Sequence, residues 1–492
     1  MSLYGSKLSL ARSSLYAIGG SGGAQLMLIV AAPILTRLFT PEEFGIFAIY
    51  VAIVTFLSMG IFLKYELAIP ISQSITSTLS ILKLCLGLGA LIGFLILVAL
   101  YFFETEFRSL IPSSAHAIPL WILPVAAINL AFLNLWRFWL VKAGRFDIIA
   151  ISRGSVSFIL LFVQLTGGLL KLGSIALIAG HVIANLVTVL ALIATVFRKY
   201  FYLLYRITFG SVKKAIVRYA NFPRYIVLSD GLLVIGSQAP PVVIAGVYSL
   251  AEAGLFALAL RVCLAPVAMI AESCGKVFMS RALILKTAQT LPSFVFSSYS
   301  LLIRIAIIPF TAVAFFASDL AAVIFGESWK ISGVYISLLV PSIVAIFVFV
   351  PLMTLFLVLE KQKMELRFQF LIMLMRMIGL LVGVFLGEIY WAIAMYSLFT
   401  SVGYVIAGYW IMSKSGVWMT NILVISFFEL IISAIILGPA VWLIFYLNLH
   451  NEIISSWYYV LLGVTCMLTI LLYSCRLKSS FKKLKDIDLG VS

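Results

Sequence analysis

Ionisable side chains are scarce in this chain, and several stand inside long apolar runs, where each is costly to hold. Arg261 lies near the middle of the run 251-275, too deep for easy snorkelling to an interface. Arg304 and Arg376 lie about ten residues from the ends of their runs, and Arg137 lies near the end of another, in "WRFWLVK". Arg37 and Lys64 flank the first two runs. The acids are fewer: Asp230, Glu272 and Glu429. The chemistry open to such groups is charge recognition. A guanidinium fork matches phosphate oxygens, and a carboxylate can hold a proton or a sodium ion. The competing reading is structural. Arg261 would be neutralised by a helical neighbour such as Asp230, Arg304 and Arg376 would pair or snorkel, and Arg37, Lys64 and Arg137 would anchor at the interface, where the aromatic neighbours of Arg137 fit a membrane belt. Glu429 has no assigned role.

Bond-making chemistry is not visible. The three histidines, at 116, 181 and 450, form no HExxH pattern. No phosphate-binding loop and no nucleophile elbow occurs. The five cysteines are odd in number, lie in or at the ends of apolar runs and show no metal spacing, so they read as small packing residues. No cofactor or metal is expected, and the chain does not read as an enzyme.

The elements that must position these charges are membrane helices. The 492 residues are 63% hydrophobic and 11% charged, against roughly half and a quarter for a soluble chain. Apolar runs of about 20 residues, the length that spans a bilayer, recur almost without pause. The expected fold is an all-α polytopic membrane protein with 14 spans near 14-37, 43-63, 79-103, 117-140, 149-170, 174-197, 224-247, 251-275, 295-317, 333-358, 365-386, 390-412, 422-446 and 455-475. An even count puts both termini on one side. Placing them in the cytoplasm gives that side 26 of the 34 Lys and Arg and the opposite side four, as the positive-inside rule requires. The net charge of +16 is then largely topology signal, and anionic headgroups suffice as its partner without nucleic acid.

The stretch "TRLFTPEEFGIFAIY" (36-50) carries its charges at a tight hairpin between spans 1 and 2. Thr40 and Glu43 form the Thr-x-x-Glu pattern of a capping box, and Pro41 sits where its missing N–H costs nothing. "TPEEFGIFAIY" (40-50) aligns with "SLAEAGLFALA" (249-259) at an offset of 209: Thr40 with Ser249, Glu43 with Glu252, Gly45 with Gly254, Phe47 with Phe256. Both are outer hairpins six spans apart, which predicts a parallel repeat enclosing a central site. The expected organisation is a six-helix lobe (1-197), a basic cytoplasmic linker (198-223), a second six-helix lobe (224-412), then two extra helices and a basic tail (413-492). The glycines of "GGSGG" (19-23), with Gly22 and Gly23, serve close packing or a gating bend in span 1. Pro240 and Pro241 remove two backbone donors from span 7 and should distort it.

"ILTRLFTPEEFGIFAIYVAI" with "KYELAIP" (34-70) resembles the first hairpin of bacterial polysaccharide, or O-antigen-type, flippases. "RFWLVKAGRFDIIAISRGSVS" (137-157) is similar to their connection between spans 4 and 5. "YANFPRYIVLSDGLLVIGSQAPPVVIAGVYSLAEAGLFALALRV" (219-262) and "FMSRA" (278-282) resemble their second-lobe entry. These motifs cover roughly the first 280 residues; the rest matches in hydropathy only. The family belongs to the multidrug/oligosaccharidyl-lipid/polysaccharide exporter superfamily. The resemblance implies alternating access between two lobes in the bacterial inner membrane. It implies a cargo as well, an undecaprenyl-pyrophosphate-linked oligosaccharide moved from the inner to the outer leaflet for O-antigen or lipopolysaccharide assembly, alongside a polymerase and a chain-length regulator. Spans 1, 2, 7 and 8 would then surround the cavity. Arg261, Arg37, Lys64, Arg304 and Arg376 become its cation candidates, Asp230 and Glu272 the ion-coupling candidates, and the lipid tail stays in a groove beside spans 13 and 14. A coupling-ion site of the drug-exporting branch cannot be aligned. The alternative is an ion-coupled drug or metabolite exporter of the same fold, against which the excess of Arg over acid within the spans argues. An enzyme such as a polymerase would need a large outer loop with paired carboxylates, and the nearest pair, Glu104 and Glu106, sits on a short one.

Overall fold

The computed structural model describes residues 7–109, 118–285, 290–418 and 420–432. The chain folds as helices α1 (Lys7–Leu38), α2 (Pro41–Gly60), α3 (Ile75–Phe102), α4 (Glu104–Ser109), α5 (Ile122–Lys142), α6 (Phe146–Leu169), α7 (Ser174–Tyr205), α8 (Phe209–Arg218), α9 (Val227–Val247), α10 (Leu250–Leu285), α11 (Leu291–Phe325), α12 (Lys330–Met353), α13 (Leu355–Val358), α14 (Gln362–Phe385) and α15 (Ile389–Lys414). Short turns at Tyr65–Ala68, Phe222–Ile226 and Glu327–Trp329 join some of them. Eleven helices among the described residues are long and apolar enough to span a membrane, and Gly22–Leu38 and Thr420–Ile432 are shorter apolar pieces. The protein is therefore an all-α polytopic membrane protein. The sequence-read span 455-475, most of 422-446 and the basic tail lie outside the described residues, and the expected groove beside spans 13 and 14 falls there with them.

Two compact units emerge. The first comprises Met1–Val262 with Ala322–Trp329, so its boundary falls inside α10. Within it α1 packs on α6, α6 on α7, and α2 against α9, α5 and α7. The capping box is formed as expected: the Glu43 amide donates to Thr40 Oγ1 at 3.3 Å, and the Thr40 amide to Glu43 Oε2 at 2.8 Å. At the matched hairpin the Glu252 amide donates to Ser249 Oγ at 3.1 Å. The two matched glycines face one another across the α2–α10 crossing. A methyl on Gly45 would stand 2.7 Å from the carbonyl carbon of Leu250, and one on Gly254 would stand 2.8 Å from the Gly45 nitrogen. The repeated motif is thus the place where two copies of one hairpin cross at backbone distance.

The basic stretch after span 6 is structured. α7 runs on to Tyr205, and α8 then packs against α3, with Tyr219 buried beyond it. Lys83 donates to the Ile207 carbonyl at 2.7 Å, and Arg218 to Gln73 Oε1 at 2.9 Å. The second unit comprises Cys263–Ala321 and the described residues from Lys330 onward. Its α14 and α12 both pack on α15, and Gly379 and Gly408 admit neighbours where any larger residue would collide. Across both units large apolar side chains such as Phe94, Phe158, Leu190, Phe315 and Phe385 are exposed, as lipid contact requires.

Candidate substrate and ion site

Helix α2 ends at Gly60, and the chain turns through two left-handed residues, Leu63 (φ 49°) and Lys64 (φ 63°). Left-handed backbone costs an ordinary side chain roughly 1–2 kcal/mol, so something must hold the turn. The Leu63 amide donates to the Gly60 carbonyl at 3.1 Å and the Tyr65 amide to the Phe62 carbonyl at 3.0 Å, and Lys64 Nζ stands 2.9 Å from Asp230 Oδ2 in the first turn of α9. The sequence had placed these residues in different roles, Lys64 as a cavity cation and Asp230 as an ion-coupling acid or a neutraliser of Arg261. The structure brings the two together, and the carboxylate engages Lys64 instead of Arg261. Glu66 follows at once in the 3-10 turn and is 7% exposed; its Oε2 is buried without a hydrogen-bond partner. Lys142 donates to the Ser72 carbonyl and Tyr65 to the Ile216 carbonyl at 3.4 Å, which closes the turn against α5 and α8.

The other candidates are separate. Arg261 is partly buried on α10 and makes no ion pair with a described residue. Arg37 is exposed at the end of α1. In the second unit Arg304 Nε lies 3.0 Å from Glu429 Oε1, and the carboxylate is 3% exposed, so the acid left without a role is the partner of one predicted cation. Arg376 donates to Tyr404 Oη at 3.1 Å and stacks over that ring at 5.5 Å, while its Nε is buried without a partner. Arg137 likewise has a buried, unpartnered Nε and lies close enough to Arg153 for the charges to oppose. The side chain of Glu272 falls outside the described part. α1 passes unbroken through Gly22, which is buried, and Gly23, which is exposed. α9 likewise continues through Pro240 and Pro241, both buried, and its irregular π turn lies earlier, at Phe222–Ile226.

Two features escaped the sequence reading. Glu66 sits in the quoted "KYELAIP", but a connection between spans suggests solvent, and only tertiary packing buries it. The second is a polar node in the first unit: Tyr50 Oη lies 3.1 Å from His181 Nδ1 and Asn185 Nδ2 lies 3.3 Å from His181 Nε2, locking α2 to α7. The i, i+4 spacing of His181 and Asn185 on an apolar helix was the available signal. Between α2 and α9 lies an open apolar groove of about 350 Å³, lined among others by Phe56, Leu57, Phe107, Ile235 and Val242.

Comparison with known proteins fits this architecture. Residues 34–333 match the model of a family described as polysaccharide biosynthesis protein. A search of curated protein sequences finds no significant match. Among solved structures the fold is similar to a lipid II flippase, MurJ, in an inward closed conformation (TM-score 0.65, 13% identity, 95% of this chain and 98% of that one). It is also similar to an inward-facing multidrug resistance MATE family transporter of the MOP superfamily (0.52, 16%, 82% and 94%). A MATE protein in complex with MaD3S aligns comparably (0.53, 15%, 83% and 96%). The family match covers more than half of the chain, and the fold is shared with the solved MurJ structure over 95% of this chain: the chain belongs to the polysaccharide biosynthesis protein family.

Proposed function

We propose that the protein flips an undecaprenyl-pyrophosphate-linked oligosaccharide from the inner to the outer leaflet of a bacterial inner membrane, with both termini cytoplasmic. The observation that carries this reading is Arg261, a guanidinium partly buried within a span and without an ion-pair partner among the described residues. A cation so placed is costly unless water or an anion reaches it. A pyrophosphate supplies several negative charges in the geometry that a guanidinium fork accepts. The lobes read from sequence, 1-197 and 224-412, give the reading its moving parts. The Lys64–Asp230 pair then ties span 2 to span 7 and acts as a latch on the cytoplasmic side. Arg37, exposed at the outer end of span 1, steers the anionic head. A drug exporter of the same fold remains the alternative; it lacks a reason for a lone buried cation.

The test is complementation of a flippase-deficient strain, scored by surface polysaccharide. Arg261→Ala abolishes export at normal insertion levels, and Arg261→Lys retains part of it, since charge survives without the bidentate fork. Full export by Arg261→Ala sinks the binding role. Because Asp230 engages Lys64, adding Asp230→Ala to Arg261→Ala restores nothing. Restoration by that double change would return Arg261 to a structural pair.

A further inference from the structure

Helix α8 has two kinds of surface. Val212 and Ala215 are buried, and α3 is the helix packed on them. Phe209, Lys213 and Val217 follow at steps of four and share another face. All three are exposed, Phe209 by 83% and Val217 by 71%, and Ile216 beside them is exposed as well. Lys214 and Arg218, also four apart, flank that face. The charge here has one sign. From Arg198 to Arg224 the chain carries seven Lys and Arg and no Asp or Glu. Neither Lys213 nor Lys214 meets a carboxylate among the described residues. The end of α7 has the same character: Tyr205 is 86% exposed, and Arg206 lies over the Tyr202 ring at 4.7 Å and donates to its hydroxyl at 2.8 Å. Aromatic and basic residues together are the composition of a membrane interface.

The depth of α8 follows from α3. That helix has 28 residues, about 42 Å at 1.5 Å per residue, whereas the hydrocarbon core is about 30 Å thick. Its far end exposes Tyr101 and Phe102, so that end stays in lipid. The surplus of about 12 Å then emerges at the Ile75 end. The α8 segment is bonded there: Lys83 donates to the Ile207 carbonyl at 2.7 Å, and Tyr219 Oη lies 3.4 Å from Ser77 Oγ. Headgroups add about 5–8 Å to each side of the core, and α8 lies at their level.

We propose that the outer face of α8 is a docking surface for anionic phospholipid. Phe209, Ile216 and Val217 enter the acyl boundary, and Lys213 and Lys214 hold headgroup phosphates. A lysine in the middle of an apolar stripe fits this boundary, because its stem lies along acyl chains while its ammonium reaches the phosphate layer. The basic tail of the chain is the wrong partner: Arg476 to Ser492 carries five Lys and Arg against two Asp, so its charge opposes that of α8. A soluble protein is poorly placed to compete with lipid, since α8 begins only three residues after the end of the spanning helix α7. The proposal stands apart from the nature of the cargo.

The test places a nitroxide on Val217→Cys in the full-length protein, with the native cysteines replaced by alanine. Paramagnetic resonance reads its collisions with oxygen, which favours lipid, and with a water-soluble nickel chelate. Phosphatidylcholine vesicles are compared with vesicles containing added phosphatidylglycerol. Phosphatidylglycerol should lower nickel access and raise oxygen access. High salt should weaken the effect, and Lys213→Gln with Lys214→Gln should abolish it. Equal nickel access in the two kinds of vesicle overturns anionic recognition. Shielding already present in detergent without lipid assigns the face to another part of the chain. Shielding that grows with the ratio of protein to lipid assigns it to a second copy. Either result overturns the proposal. If the cysteine-free protein fails to fold, native mass spectrometry of the protein in detergent with phosphatidylglycerol decides instead. The double lysine variant should retain fewer bound lipids than the wild type, and equal numbers overturn the surface.

Discussion

The crossing of α2 and α10 offers the sharpest mechanical test, because the two glycines that meet there are the ones the internal repeat aligns. A methyl group on Gly45 would lie 2.7 Å from the Leu250 carbonyl carbon and 3.2 Å from its Cα, and one on Gly254 would lie 2.8 Å from the Gly45 nitrogen and 2.9 Å from the Pro41 carbonyl carbon. Ordinary contact begins at 3.4 Å, and the nearest atoms are closer still, the Leu250 carbonyl oxygen to the Gly45 methyl and the Pro41 carbonyl oxygen to the Gly254 methyl, so each methyl overlaps backbone, which has no rotamer to escape into. Overpacking costs about 1–3 kcal/mol, and a backbone neighbour places this site at the upper end. Alanine returns about 1 kcal/mol through helix propensity. Gly45→Ala and Gly254→Ala should each destabilise by about 2 kcal/mol, measured by equilibrium unfolding in mixed micelles. Gly87→Ala on the exposed face of α3, where nothing lies within 4 Å, is the control and should be neutral or slightly stabilising. Both alanines wedge one crossing, so the double variant should cost less than the sum. If Gly45→Ala unfolds no more readily than Gly87→Ala, the helices do not cross at backbone distance and the repeat loses its structural meaning.

In the second unit, Glu429→Ala should destabilise by about 3 kcal/mol or less, since Arg304 keeps 26% of its side chain exposed and can recruit water. Arg304→Met added to it should recover part of the loss in the same unfolding assay, and no recovery would show that other neighbours of the two residues dominate. Burial holds the Glu66 carboxyl above the ordinary carboxylate range, with a consequence for stability: the folded state holds a proton that the unfolded chain has released, so stability falls as pH rises from the ordinary glutamate value through the raised one. Unfolding midpoints across that window should show the slope in wild type and its loss in Glu66→Gln.

Local chemistry made much of this legible. The capping box at Thr40 and Glu43 spans only two intervening residues, and it forms as the sequence predicts. Apolar runs of bilayer length identified the membrane helices because the bilayer fixes their length. The repeated Gly45 and Gly254 pointed to a paired feature, although their mutual contact emerges only in three dimensions. Partner choice was not legible. Asp230 and Arg261 are one helix apart in sequence, yet Asp230 reaches back to Lys64, and Glu429 reaches Arg304 across 125 residues. Depth was not legible at Glu66 for a related reason. Its position between two spans suggests water, whereas the left-handed turn folds it under α3 and α5.

Transport itself is the central claim. Purified protein in sealed vesicles, given fluorescent undecaprenyl-pyrophosphate-linked oligosaccharide in the outer layer only, should move label to a quencher-protected layer without ATP while an ion gradient is held. Arg261→Ala vesicles should leave the label exposed. Label that stays accessible with wild-type protein under every gradient, or moves only when ATP is hydrolysed, would contradict a gradient-driven flippase.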